Sequence, residues 1–490
     1  MVNTGNHTLV RTPSNMSAVS PMTSGQASLL AALFSLGQYP DPDPPSQRSQ
    51  PSTGFPPDPD IPWVSYWSKP DAERLDNVTS DEDEDPKSIN SKICRELVLN
   101  KTSESNALPF VLQNYAIWVH RMAFQPLKLM SVARDFVFNQ FQDGEQSRWI
   151  IVLLANISSR MESEELVGGK TNRMLSLLHT AVRQQLGAVK SLRNQARPEL
   201  VKVLDSAVET MLRQFYVNRS SDALTVRREV APIFRQLCPG PPDAPIDLRA
   251  LLQQPLGSLR HFAHIDIHFS VVTGVPTLFQ YDVDIPSSQP STPDTLPSPT
   301  QGDGFVQWLH GTPSQFVLLF AKMSSIRHSG STSNRETIAA LEQEIHRVQP
   351  LNNPPSDRFL AIMRSVVQEC WRQAALVYLY MAVCGDPSGT PRVKEAFKRY
   401  MKLLRGTQPG RLPDEFLITN LTLIAPAAQQ GHDRETIRQR ILGAHMRGPK
   451  FRTNNIAISV VEDYWTRADA EGRQAIWSDL ALSRKRVLGV

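Results

Sequence analysis

The sequence predicts an all-α protein, a large helical array preceded by a disordered N-terminal tail. Three observations predict it. Apolar residues downstream of residue 90 recur at three- and four-residue intervals, the spacing that places them on one face of a helix. Strand patterns, with their period of two, are almost absent. Residues 1–90 hold 13 prolines among Ser, Thr, Gly and Asp, a composition that cannot bury enough apolar area to offset chain entropy.

The tail and the body differ in charge. The 490-residue chain has a formal net charge of +4, but residues 1–90 carry 5 Lys or Arg against 12 Asp or Glu. The remaining 400 residues are therefore positive by 11, spread thinly rather than gathered into the stripe that displaces counterions from a duplex. Within the tail, Trp63, Tyr66 and Trp67 lie among Asp58, Asp60 and Asp71, shortly before the acidic run Asp81 to Asp85. Aromatics kept soluble by neighbouring acids resemble segments that fold on a partner, although a solvated linker is the commoner origin of such a pattern. A shorter patch, Leu29, Leu30, Leu33 and Phe34, has helical spacing, and is too short and too far from Met1 to be a signal peptide. No apolar stretch approaches the roughly 20 residues of a bilayer span, so no membrane role is expected.

Helical spacing begins near residue 91 with Ile93, Leu97 and Val98, continues through 110–119, and resumes with Leu129, Val132, Phe136 and Val137. Further helices are expected at 146–160, 172–190, 198–216 and 222–237, ended by Pro239, Gly240, Pro241 and Pro242. Residues 284–304, rich in Ser-Pro and Thr-Pro pairs, read as a mobile loop inserted in the body. The strongest helix is expected from Asp357 to Cys384, with Gly385 as left-handed cap. From Ala374 to Cys384 it is apolar on every side, which places it in the middle of the fold. The next helix has Thr390 as N-cap, Pro391 at its first position, and a stripe of Val393, Phe397, Tyr400, Met401 and Leu404 before Gly406. Helices at 413–429, 433–446, 455–467 and 470–487 complete the array.

Chemistry is sparse. Cys94, Cys238, Cys370 and Cys384 include no pair close enough for a Cys-x-x-Cys knuckle. Cys370 and Cys384 share one helix about 21 Å apart, beyond disulfide reach. Gly169-Lys170-Thr171 lacks the earlier glycine of a phosphate loop, since position 164 is Glu. No Gly-x-Ser-x-Gly elbow occurs, so no catalytic residue is assigned. One cluster stands out: His261, His264 and His268 with Asp266. On a helix the three histidines share one face, which suits metal ligation; on a strand His264, Asp266 and His268 would alternate with Ile265, Ile267 and Phe269. An amphipathic element with a polar histidine face is commoner than a metal centre, so neither metal nor cofactor is assigned. Arg484-Lys485-Arg486 fits a nuclear import signal, or a solvated basic end to the last helix.

Three blocks, in this order, carry a resemblance to a family. They are Phe262-Ala263-His264-Ile265-Asp266-Ile267-His268 running on to Gly274-Val275-Pro276, Gln368-Glu369-Cys370-Trp371-Arg372-Gln373 running on to Cys384-Gly385, and Trp465 to Arg473 with Trp477-Ser478-Asp479. Together they resemble the fungal-specific transcription factor domain in its basidiomycete form, the helical regulatory region usually found downstream of a zinc binuclear cluster. The resemblance spans most of residues 95–490. It implies an all-α, nuclear, non-enzymatic regulator that works through the transcriptional machinery or partner transcription factors, and is compatible with a small-molecule effector or a homodimer. The zinc cluster itself uses six cysteines in a short basic segment, whereas residues 1–90 contain none and are acidic. No direct sequence-specific DNA binding is therefore expected from this chain, either because the start lies upstream or because the cluster has been lost. The rival expectation is a helical-body enzyme or scaffold with a pocket near His264, Asp266 and His268.

Overall fold

In the computed structural model, the residues described are 107–160, 169–191, 196–216, 220–283, 304–330, 334–349, 358–443 and 452–488. The acidic tail, the Leu29 to Phe34 patch, the onset at Ile93, Leu97 and Val98, Cys94, and all but the last residue of the 284–304 loop lie outside them.

Six helices open the array: α1 (Ala107–Met122), α2 (Met130–Gln142), α3 (Glu145–Arg160), α4 (Gly169–Ser191), α5 (Arg197–Tyr216) and α6 (Ser220–Leu237). Their bounds follow the expected periodicities to within a few residues. In α1, Val111, Tyr115, Trp118 and Met122 fall on one buried stripe, which packs on α2 and α3. The series continues with α3 on α4, α4 on α5 and α5 on α6. Gly169 and Lys170 sit in the first turn of α4.

A two-residue parallel pair follows, β1 (Ile246–Asp247) with β2 (Tyr281–Asp282), bracketing α7 (Leu248–Leu252) and α8 (Gly257–Thr273). The histidine segment, open between helix and strand on sequence alone, is thus helical. It ends at Gly274, whose φ of 72° supplies the left-handed cap; its amide donates to Ser270 O at 2.8 Å.

Besides the short α7, three helices were not foreseen: α9 (Phe305–His310), α10 (Ser314–Ser329) and α11 (Arg335–Arg347). In α10 Phe316 to Ala321 are all buried, so no periodic contrast marks it. The central helix runs as α12 (Arg358–Tyr378) and passes into a π-helical turn, Leu379–Val383. There Cys384 N–H reaches back five residues to Leu379 O, and Gly385 follows with φ 76°. Ala374 to Met381 are buried as expected, but Ala382, Val383 and Cys384 are only half so, because the wider turn rolls them outward. In α13 (Pro391–Arg405) the anticipated stripe is buried, but Thr390 does not cap by its side chain; its hydroxyl donates to Pro387 O.

The helix expected at 413–429 is broken into α14 (Arg411–Asp414), α15 (Ile418–Ile424) and a 3-10 turn, Ala425–Ala427. Pro413 and Pro426 lack the amide a continuous helix needs, and Leu412, preceding proline, is held extended. Beyond α16 (Gly431–Gly443) and α17 (Arg452–Ala470), a turn at 471–476 with Gly472 at φ 64° delays α18 (Trp477–Leu488), which was expected from 470. Asp479 accepts from Ile476 N–H, a reciprocal bond that starts α18. One continuous apolar core, from Val111 to Leu480, joins these elements.

Candidate functional site

Helix α8 is buried almost from end to end, because α5, α7, α9, α10 and α18 pack around it. Its polar side chains must therefore find partners inside the protein. They divide between two faces, since residues 264 and 266 are about 200° apart around a helix.

On one face Asp266, fully buried, is ion-paired with Arg227 of α6, itself only 3% exposed. The carboxylate also accepts from Leu278 N–H at 3.1 and 3.2 Å and from Tyr281 O–H at 2.9 Å. The Arg227 guanidinium lies 4.5 Å from the centre of the Phe269 ring. Burial, and next the Asp266 charge, push the Tyr281 phenol well above its ordinary value. One carboxylate thus ties α6, α8 and the β2 segment together.

On the other face His261, His264 and His268 form the stripe that their spacing predicts, and His310 at the end of α9 joins them. His310 Nε2 and His261 Nε2 are 2.9 Å apart, so one donates to the other. The His264 ring stacks on His310 at 4.3 Å and 13°, and lies 3.9 Å from His268. His268 Nδ1 donates to His264 O at 3.1 Å. His264 Nδ1 and His268 Nε2 are buried without a hydrogen-bond partner. The shell is aromatic: Phe305 beside His261, Phe320 and Trp371 beside His268.

Such a shell keeps the rings neutral. Burial lowers His261 to about 3 and His268 to about 4. His264 and His310 are held well below their ordinary value by burial first, then by neighbouring rings. Among the described residues, no group of three or more His, Cys, Asp or Glu side chains is placed to hold a metal ion. Asp266 does not join the histidines; it faces Arg227.

Other candidates are accounted for structurally. Cys370 is buried on α12 with its thiol pushed up by burial, and Cys238 is pushed up to about 12 for the same reason, which makes both poor nucleophiles. Asp463, Arg467, Arg473, Asp479 and Ser483 form a network closing α17 on α18, with Arg467 to Asp479 at 3.2 Å and Arg473 to Asp479 at 2.7 Å. The basic triplet is not a uniformly solvated helix end. Lys485 is exposed, Arg486 lies 3.3 Å from Asp463, and Arg484 is half-buried with its Nε unpartnered. A surface groove of about 350 Å³ between α12 and α13 is lined by Ser365, Val366, Gln368, Glu369, Arg372 and Leu403, and does not include the histidines. Among the described residues, no helix is long and apolar enough to cross a membrane.

Sequence reasoning missed His310 and Arg227. They lie 49 and 39 residues from their partners His261 and Asp266, and no local pattern marks either one.

Residues 258–488 match the family model described as the fungal specific transcription factor domain. The match begins at the second residue of α8 and runs to the end of α18, so α1 to α7 lie outside it. No curated protein matches the chain, and no solved structure does.

Proposed function

We propose, from the premise that residues 258–488 belong to the fungal-specific transcription factor domain family, that this chain is a nuclear transcriptional regulator whose chemistry is recognition. The single observation that carries the reading is that family match, which covers α8 to α18. The buried side chains agree with it: the histidines are engaged with one another, Asp266 with Arg227, and Cys238 and Cys370 are pushed away from reactivity. The helical body is the part that receives a partner protein or a small effector. The acidic, tryptophan-bearing tail at 58–85 is the part that recruits transcriptional machinery. Residues 1–90 hold no cysteine and thus no zinc-cluster ligands.

The test fuses the whole chain, residues 1–90 and residues 91–490 separately to a heterologous DNA-binding module over a reporter. Residues 1–90 are expected to raise expression, with the body changing the level reached by the whole chain. If all three fusions leave the reporter at its baseline while a tagged chain stays outside the nucleus, the reading fails.

A further inference from the structure

The four histidines lie within the matched region, beside a seam with residues 124–125, which lie outside it. Helix α9 is six residues long, and its last turn accepts two backbone bonds from the strand of chain that follows α1. Phe124 N–H donates to Leu309 O at 3.1 Å, and Gln125 N–H donates to Trp308 O at 2.8 Å. Gly311 ends α9 with φ 70°, and a Cβ there would meet Val367 Cγ1 of α12 at 3.1 Å and the Phe124 ring at 3.5 Å. Next to this seam, His310 is held by His261 and His264 of α8. Whatever moves α9 away from α8 therefore also strains the two backbone bonds by which residues 124–125 are tied to α9.

The cluster is built to respond to protons. Each ring faces another ring or an aromatic side chain, and among the described residues none faces a carboxylate. On α8 itself Arg260 lies over Phe305 at 4.6 Å, and Asp266 is turned to the opposite side. The surrounding elements bring Asp205 from α5, Arg227 from α6, Arg249 from α7, Arg327 from α10, Arg364 from α12 and Arg484 from α18, while α15 carries no charged residue. None of these sets the ionisation of the rings, which follows from burial and from the rings themselves. Asp205, which burial lifts to about 7, is one further group on a packed helix that titrates near neutrality.

We propose that His261, His264, His268 and His310 form an acid-operated latch: neutral, they hold α9 against α8, and protonation releases α9 together with the backbone at 124–125 that hangs on it. Two cations 4 to 5 Å apart in an aromatic shell repel, and the imidazole-to-imidazole bond of His261 and His310 needs one nitrogen without a proton. The sign is fixed by the direction of the shifts. The released rings bind protons at ordinary affinity, near 6.5, and the docked rings bind them more weakly, so the latch is closed above that value and opens progressively below it. Between about pH 7 and pH 5.5 the opening equilibrium should rise roughly eightfold for each ring released.

The test is amide hydrogen exchange on the full chain at those two pH values, corrected for intrinsic exchange. Protection of segments covering 124–125 and 305–311 should fall at least eightfold at the lower pH, while α13 keeps its protection. His310→Gln, which retains a polar side chain but does not titrate, should flatten the response by one ring's worth. Equal protection of 124–125 and 305–311 at both pH values overturns the proposal. So does a loss shared equally by α13, which would be general acid unfolding. If His310→Gln does not fold, the unmodified chain still decides, because a response of less than one proton per opening is incompatible with the latch.

Discussion

Replacing Asp266 by alanine removes an acceptor with three partners in a place water does not reach. The carboxylate is fully buried and Arg227 is 3% exposed. Its loss leaves a guanidinium without counter-charge, and Leu278 N–H and Tyr281 O–H without an acceptor. Breaking a buried pair from one side costs about 3 to 5 kcal/mol, a large share of the roughly 5 to 15 kcal/mol by which proteins are stable. Removing both charges is a different perturbation. With Arg227→Met and Asp266→Leu together no ion is stranded, and the remaining cost is the unsatisfied tyrosine and amide, about 1 to 3 kcal/mol each, which Asp266→Ala incurs as well. Asp266→Ala should therefore be worse than the double variant, although it changes less of the chain. Urea denaturation followed by circular dichroism reads the difference: a loss of about 4 kcal/mol at an m-value near 3 kcal/mol/M moves the midpoint by roughly 1.3 M. A midpoint for Asp266→Ala within 0.2 M of the unmodified protein, or a double variant less stable than Asp266→Ala, would refute the reasoning that Asp266 serves to neutralise Arg227.

Leu376, 3% exposed in the buried half of α12, should cost about 2 to 5 kcal/mol when cut to alanine, and a loss below 0.5 kcal/mol in denaturant would contradict its place in the core. Gly311→Ala puts a side chain at φ 70° and 3.1 Å from Val367, so it should lose at least about 1 to 2 kcal/mol and raise amide exchange at 124–125; an unchanged melt would show that the turn is not constrained. Cys370, fully buried, should resist a thiol reagent in the native protein and react once urea is added, and fast native labelling would show α12 open at that turn.

The fold class was legible because helices that bury one face must repeat at the helical period. Thr390, Pro391 and Gly406 placed α13 to the residue. Legibility failed where burial is complete, since α10 is apolar over Phe316 to Ala321 and shows no contrast between faces. It failed again where backbone chemistry overrides apolar content: Pro413 and Pro426 interrupt a segment whose side chains alone read as one helix. The histidine stripe was visible as a pattern, because spacing within a helix is a local property. Its fourth member was not, since His310 lies on another helix, 42 residues beyond His268 in the sequence. Asp266 was noticed for its neighbours in sequence, yet its partner is Arg227, on the face the histidines do not share.

The place where family resemblance starts is not a place where the molecule comes apart. Ser258 opens the matched region, but Phe262, four residues on, stacks at 4.2 Å on Phe234 of α6, and Asp266 takes its cation from the same helix. A fragment excised at that boundary would begin with a helix stripped along one flank, its carboxylate stranded and a phenylalanine bared. Expression of this region in isolation calls for a cut upstream of α5, so that the two helices covering α8 are retained.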